Sequence, residues 1–220
     1  MSLATYKDLC IDATDPLVTG RFWAAALGLQ THVHDDGDVH LTGSTPQHTI
    51  WVNRVPEPRT VKQRLHLDIR ASSVGQVVDL GAQVLDADSF RWTVMADPEG
   101  GELCVFVRDA PIDQPFYALV VDCAAHAKAA TWWSTILGGT LEHHDEYSTL
   151  EAPGTPFEAL LFITVPEPKR VKNRIHLDVT TGDVHGLLAA GATLLRAKDG
   201  DIGWHVMADP EGNEFCAFTD

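Results

Sequence analysis

Apolar and polar residues alternate cleanly over residues 64–70. Leu65, Leu67 and Ile69 fall on one face, and Arg64, His66, Asp68 and Arg70 on the other. The pattern predicts a strand with one face in a core and one polar face. Residues 6–13 form an apolar, strand-like run. Asp15-Pro16 then places an N-cap before a proline at the first helical position. Leu17, Phe22, Trp23, Ala26 and Leu27 recur at helical spacing until Gly28 closes the helix. Strands are predicted near residues 30–34, 39–41 and 49–55, with Asp36-Gly37 turning between the first two. After the strand at 64–70, Ser73 caps a short helix that carries Val74, Val77, Val78 and Leu80 and ends at Gly81. Strands follow at 83–85, 91–96 and 102–107, and Asp97-Pro98-Glu99-Gly100 is a turn by composition.

The same order then returns. Val55-Pro56-Glu57-Pro58, leading to Leu65-His66-Leu67-Asp68, reappears as Val165-Pro166-Glu167-Pro168, leading to Ile175-His176-Leu177-Asp178. Trp92 to Gly100 reappears as Trp204 to Gly212, and Glu102-Leu103-Cys104-Val105-Phe106 as Glu214-Phe215-Cys216-Ala217-Phe218. Fainter echoes join Phe22-Trp23 to Trp132-Trp133, Leu27-Gly28 to Leu137-Gly138, and Asp12 to Asp122. The chain is therefore read as two copies, at residues 1–108 and 116–220. The aperiodic segment 109–115, with Pro111 and Pro115, is the linker. Each copy holds two strand–helix–strand–strand–strand units, an α+β architecture of four βαβββ units.

Composition narrows the partners. Hydrophobic residues make up 45% of 220, enough for an ordinary globular core. The net charge of −15, with no basic stripe, argues against nucleic acid, whose phosphates need cations opposite them. No run of about eighteen apolar residues suggests a membrane span, and the first residues do not read as a secretory signal. A cytoplasmic protein is expected. Cys10, Cys104, Cys123 and Cys216 each sit in an apolar run without a C-x-x-C pair, so buried free thiols are expected.

The polar faces around His66, Asp68, His176 and Asp178 predict a wet concave surface. Trp51, Trp92 and Trp204 would stack on a flat ligand or belong to a core. Lys62 and Lys172 are expected to pair with nearby carboxylates. Asp97, Glu99, Asp209 and Glu211 are read as turn residues.

Paired βαβββ units carrying Phe22-Trp23 with Leu27-Gly28, then Arg64-Leu65-His66-Leu67-Asp68, then Asp97-Pro98-Glu99-Gly100, resemble the vicinal oxygen chelate superfamily. The resemblance is to its glyoxalase-like branch, the glyoxalase, bleomycin-resistance and dioxygenase type. It covers nearly the whole chain, because the second copy supplies the same three motifs. The resemblance implies curved mixed sheets forming cup-shaped cavities with a ligand inside.

Metal-dependent members place ligands on a unit's first and last strands. His66 and His176 stand where a first-strand histidine belongs, and Cys104 and Cys216 stand where the last-strand carboxylate belongs. In the units that open each copy, the first-strand positions fall at Asp8 and Ala118, and no glutamate matches near Trp51 or Phe162. No cofactor is therefore expected. Were a divalent metal bound, its ligands would come from His66, His176, Glu102, Glu214 and Asp8. The resulting reading is small-molecule binding in a sheet-lined cavity without the usual full metal site. Its walls are expected to include His66, Asp68, Glu102, Cys104, Trp51 and Trp92, together with His176, Asp178, Glu214, Cys216 and Trp204. One alternative is a metal-dependent lyase or dioxygenase. The other is a bleomycin-type sequestering protein, which the acidic charge suits. Internal duplication takes the place of chain pairing, so a monomer is expected, with a homodimer as the alternative.

Overall fold

The computed structural model describes residues 2–219. The first unit runs β1 (Thr5–Ala13), α1 (Pro16–Leu27), β2 (Gln30–Val33), β3 (Val39–Thr42) and β4 (Ile50–Arg54). The second comprises β5 (Leu65–Ala71), α2 (Val74–Asp79), β6 (Gln83–Asp86), β7 (Thr93–Ala96) and β8 (Glu102–Val107). The second copy repeats both, with β9 (Phe116–Cys123), α3 (His126–Leu137), β10 (Thr140–His143), β11 (Tyr147–Glu151) and β12 (Ala159–Thr164), then β13 (Ile175–Thr180), α4 (Val184–Ala189), β14 (Thr193–Arg196), β15 (Trp204–Ala208) and β16 (Glu214–Phe218). The four-unit reading holds. A 3-10 turn at Pro46–His48, before β4, has no counterpart among the predicted elements. No helix among the described residues is long and apolar enough to cross a membrane.

The sheets cross the repeat. One has the order β14-β15-β16-β13-β1-β4-β3-β2, the other β10-β11-β12-β9-β5-β8-β7-β6. The opening unit of copy one thus shares a sheet with the closing unit of copy two, joined where β1 runs antiparallel to β13. The two middle units share the other sheet, joined where β5 runs antiparallel to β9. Within a sheet the first and last strands of each unit pair in parallel, as β1 does with β4 and β5 with β8.

Strand alternation decides what each face does. Leu9 and Ile11 of β1 and Leu177 and Val179 of β13 are buried in the shared core, together with Trp23 and Phe22 of α1. The neighbouring residues of each strand therefore face the opposite side of the sheet. All four cysteines are buried free thiols, as expected.

Helix termini tie the two units of each copy together. The Asp15 side chain accepts from the Leu17 and Val18 N–H groups, and Gly28 ends α1 in the left-handed region at φ +70°, where a side chain would be strained. A second acceptor arrives from the neighbouring unit. The Glu99 carboxylate accepts from Thr14 N (3.0 Å), Thr14 Oγ1 (2.7 Å) and Asp15 N. Glu211 does the same for Ala124 N and Ala125 N (3.0 Å) ahead of α3, whose N-cap Ala125 has no side-chain acceptor of its own. Glu99 and Glu211 are turn residues, but each also caps a helix in another unit. Glu99→Ala and Glu211→Ala are each expected to lower stability by about 1–2 kcal/mol. That corresponds to a Tm loss of about 2–8 °C, measurable by circular dichroism. Equal stability of variant and parent would contradict the capping role.

Candidate ligand site in the cup of the first sheet

Away from the helices, the β1–β13 sheet gathers Asp8 and Cys10 from β1, His176 and Asp178 from β13, and Cys216 from β16. The register sets Asp8 opposite Asp178, Cys10 opposite His176, and Asp178 beside Cys216. All five are buried. Cys10 Sγ lies 3.8 Å from Asp178 Oδ2, and the Asn53 amide donates to Cys10 Sγ at 3.5 Å. Lys7 Nζ pairs with Asp8 Oδ2. His176 Nδ1 is 3.1 Å from Asp178 Oδ1, but out of line for a hydrogen bond, so both atoms lack a partner among the described residues. Asp8 Oδ1 also lacks one.

Burial sets the protonation. It raises the Asp178 carboxyl well above the usual range, helped by the adjacent Asp8 charge. It raises the Cys10 and Cys216 thiols too, with Asp178 as the next cause for each. It lowers His176 to about 4, so this imidazole is neutral at physiological pH. Burial thus disfavours the charged form of each group in the cup: the Asp178 carboxylate, the His176 imidazolium and both thiolates.

The second sheet carries half of this arrangement. His66, Asp68 and Cys104 match His176, Asp178 and Cys216, but Val120 stands opposite His66 and Ala118 opposite Asp68. His66 Nε2 lies 3.6 Å from Cys104 Sγ and 3.4 Å from Asp68 Oδ1, while His66 Nδ1 and Asp68 Oδ1 lack hydrogen-bond partners.

The other candidates lie elsewhere. Glu102 accepts from Arg59 Nη1 (3.0 Å) and Gln63 N (3.2 Å), and Glu214 from Lys169 Nζ (2.8 Å) and Asn173 N (3.1 Å). Both glutamates hold down the segments that lead into β5 and β13. Lys62 pairs with Asp122 and Lys172 with Asp12, each across the repeat, as expected for these lysines. Trp92 stacks on Phe90 and Phe106, and Trp204 on Phe218. Trp51 is in register with Cys10 but stacks against His40 and His34. A cleft of about 690 Å³ opens between residues 55–64 and residues 171–174, with Asp12, Arg64 and Arg174 in its walls; neither His66 nor His176 lines it.

Cys10 and Asn53 were not singled out from the sequence. Asp8, Cys10 and Asp12 do alternate with Leu9 and Ile11, a period-two signal that the apolar character of the run concealed.

The profile of the "Glyoxalase-like domain" family matches residues 8–106 and again 118–218. The chain belongs to the glyoxalase-like domain family. Its fold is that of glyoxalase I. A glyoxalase I variant from Zea mays aligns over 99% of this chain and 94% of its own, with 13% identity and a TM-score of 0.73. Glyoxalase I from Zea mays aligns over 97% and 92%, with 12% identity and a TM-score of 0.70. The cppA protein from Streptococcus pneumoniae aligns over 99% and 100%, with 8% identity and a TM-score of 0.52. A search of curated proteins finds no match.

The glyoxalase-like resemblance implies a divalent metal, and the donors present can be compared with that expectation. An octahedral, oxygen-preferring cation lacks its last-strand carboxylates here: Cys104 and Cys216 fill those places, and Glu102 and Glu214 are occupied by cations. The thiol, imidazole and carboxylate of Cys10, His176 and Asp178 do lie within 4.8 Å of one another, as do those of His66, Asp68 and Cys104. That donor set suits a tetrahedral, thiophilic cation such as zinc.

Proposed function

We propose that this glyoxalase-like protein binds a small polar molecule in the cup of the β1–β13 sheet, without an octahedral metal centre. The supporting observation is the group of partnerless buried atoms His176 Nδ1, Asp178 Oδ1 and Asp8 Oδ1. Leaving such atoms unpaired costs about 1–3 kcal/mol each, and a bound ligand offsets that cost. Protonated Asp178 donates to a ligand oxygen while Asp8 accepts from a ligand hydroxyl or ammonium. A neutral acid beside a carboxylate also equips the site for proton transfer, which is the enzymatic form of the same reading. The matched cup, with Ala118 and Val120, is the less active of the two. The same reading takes the protein as a monomer, since one chain supplies both sheets, and as cytoplasmic, since its four buried cysteines are free thiols.

The second reading is a lyase with a zinc-type cation on Cys10, His176 and Asp178, or a dioxygenase were the same donors to hold a redox-active cation such as iron, favoured by their convergence within 4.8 Å. A cation there would deprotonate the thiol and polarise a ligand oxygen.

The deciding experiment pairs metal analysis of the purified protein with thermal-shift screening against small hydroxy and oxo acids, amino compounds and a cationic glycopeptide. A ligand at a hundred times its Kd should raise Tm by about 5–10 °C. The shift should vanish in Asp8→Ala and His176→Ala. Stoichiometric metal lost on Cys10→Ser would transfer the assignment to the second reading. A shift retained in both cup variants would remove the first.

A further inference from the structure

The face that holds Asp8 and Cys10 continues outward over β4, β3 and β2. The register places His32, His40, Trp51, Cys10 and His176 in one row across five strands. His34 lies two residues beyond His32, just past the end of β2, where its N–H bonds Asp38 O. Three imidazoles thus crowd the outer hairpin. The His32 and His40 rings stack at 4.6 Å, and the His34 and His40 ring centroids are 4.8 Å apart. His34 Nε2 meets His40 Nδ1 at 2.6 Å. At that distance the two ring nitrogens share a proton, which a bound cation would displace.

We propose that His32, His34 and His40 form a second, all-imidazole site for a divalent cation of the zinc, nickel or copper type, on the rim of the first sheet's cup. The geometry is that of a tridentate hairpin. His32 comes from β2, His34 lies just past the end of that strand, and His40 lies directly across from His32. Cross-strand pairs of this kind hold their Cβ atoms about 5 Å apart and the diagonal pair about 7–8 Å; the donor atoms of the three rings do not already converge within 4.8 Å, so a shell with Zn–N bonds of about 2.0–2.1 Å closes only when His32 turns inward. Bound nitrogens in a tetrahedral shell sit roughly 3.3 Å apart. His34 and His40 would therefore open by less than about 1 Å, and His32 would turn in from its stack. His32 Nε2 is bonded to Thr42 Oγ1 at 2.9 Å, the outer-shell contact that fixes a ligating ring, and its Nδ1 has no hydrogen bond among the described residues. Imidazole donors without carboxylate or thiolate favour these borderline cations over magnesium or calcium. Three protein ligands also leave a coordination position open.

The second copy provides an internal contrast. Its hairpin has Glu142, His144 and Thr149 where the first has His32, His34 and His40, and Leu161 where the first has Trp51. His144 there stacks on Tyr147 instead. The site belongs to one hairpin and not to the repeat. It is also separate from the Cys10, His176 and Asp178 centre, and it stands whether or not that centre binds metal.

The test is cobalt(II) titration of the metal-free His66→Ala/His176→Ala protein, which removes the imidazole from both thiol-containing groups inside the sheets. One cobalt per chain should bind, without a thiolate-to-cobalt charge-transfer band in the near ultraviolet and with quenching of tryptophan fluorescence. His40→Gln should weaken binding by about tenfold or more, and Trp51→Phe should remove most of the quenching while leaving the affinity intact. Zinc should displace the cobalt. His40→Gln is half-exposed, so unfolding is not expected, and an unchanged Tm will verify this. Unchanged cobalt affinity in His40→Gln, a thiolate band, or quenching that survives Trp51→Phe would each overturn the assignment.

Discussion

Residues 1–108 expressed alone are expected not to persist as a folded monomer. Copy one contributes β1 to one sheet and β5 to the other, and both are interior strands. Every residue of β5 except Arg70 is buried. Removing copy two strips β13 from β1 and β9 from β5, which bares two long apolar edges at once. It also removes the reciprocal contacts at the strand ends. Arg64 Nη1 donates to the Glu167 carbonyl and Arg174 Nη2 to the Glu57 carbonyl, while Asp12 N and Asp122 N donate to the Arg174 and Arg64 carbonyls at 2.7 Å. Bare central edges recruit another chain. The fragment should therefore aggregate, or pair with itself as unit one of one chain against unit two of another. Light scattering with size-exclusion chromatography should find dimers or larger species. Mixing it with residues 116–220 should restore one 24.0 kDa-equivalent complex and a native circular dichroism spectrum. A monodisperse, cooperatively unfolding 1–108 monomer would contradict the shared-sheet architecture.

That architecture marks the boundary of what the sequence discloses. Alternation over residues 64–70 correctly assigned Leu65, Leu67 and Ile69 to the core, and the repeat correctly transferred this to Ile175, Leu177 and Val179. Local pattern also placed Asp15 and Ser73 as caps. Pairing partners are different, because nothing in β1 names β13. Either neighbour would bury the same apolar face, and the choice depends on how whole units pack. Glu99 and Glu211 were invisible as caps for a related reason: each sits in a turn motif, and its acceptor role depends on a helix 84 or more residues away in sequence.

The histidine row shows how one residue of register matters. A two-residue turn at Asp36-Gly37 would set His40 opposite Val33, on the wrong face. The actual loop spans three residues, with His34 N bonded to Asp38 O and Gly37 N to His34 O, and this moves His40 opposite His32. The pocket candidates divide by the same logic. His176, Asp178 and Cys216 converge because they alternate with core residues on neighbouring strands. Glu102 and Glu214, on the same strand faces as Cys104 and Cys216, are claimed by Arg59 and Lys169, whose reach the sequence does not display.

Asp178→Asn is expected to make the ligand-free protein more stable at neutral pH while abolishing its response to ligand. Asp178 is buried, and its folded-state pKa lies well above that of the unfolded chain, first through desolvation and then through the Asp8 charge. Below the unfolded value of about 3.9 both states hold the proton, and the group contributes no pH dependence. As pH rises above it, the unfolded carboxyl ionises while the folded one resists. Wild-type stability is thereby lost progressively up to the folded pKa, by about 1.4 kcal/mol for each unit of displacement. Asparagine keeps the shape but has no acidic proton to lose. The difference in Tm between variant and parent should therefore be near zero at pH 4 and widen in favour of the variant as pH rises to 7–8, at roughly 2–4 °C per kcal/mol for a chain of this size. His176, held near 4, works in the opposite direction, destabilising the fold as pH falls from 6.5 toward 4. It does so in both proteins and cancels in the comparison. A protein that keeps a destabilising acid in its core at neutral pH has a use for the proton, and the variant that gains stability should lose ligand-induced protection. Asp178→Asn that is less stable than wild type at pH 7, or that still responds to ligand, would show that Asp178 serves packing and not the cup.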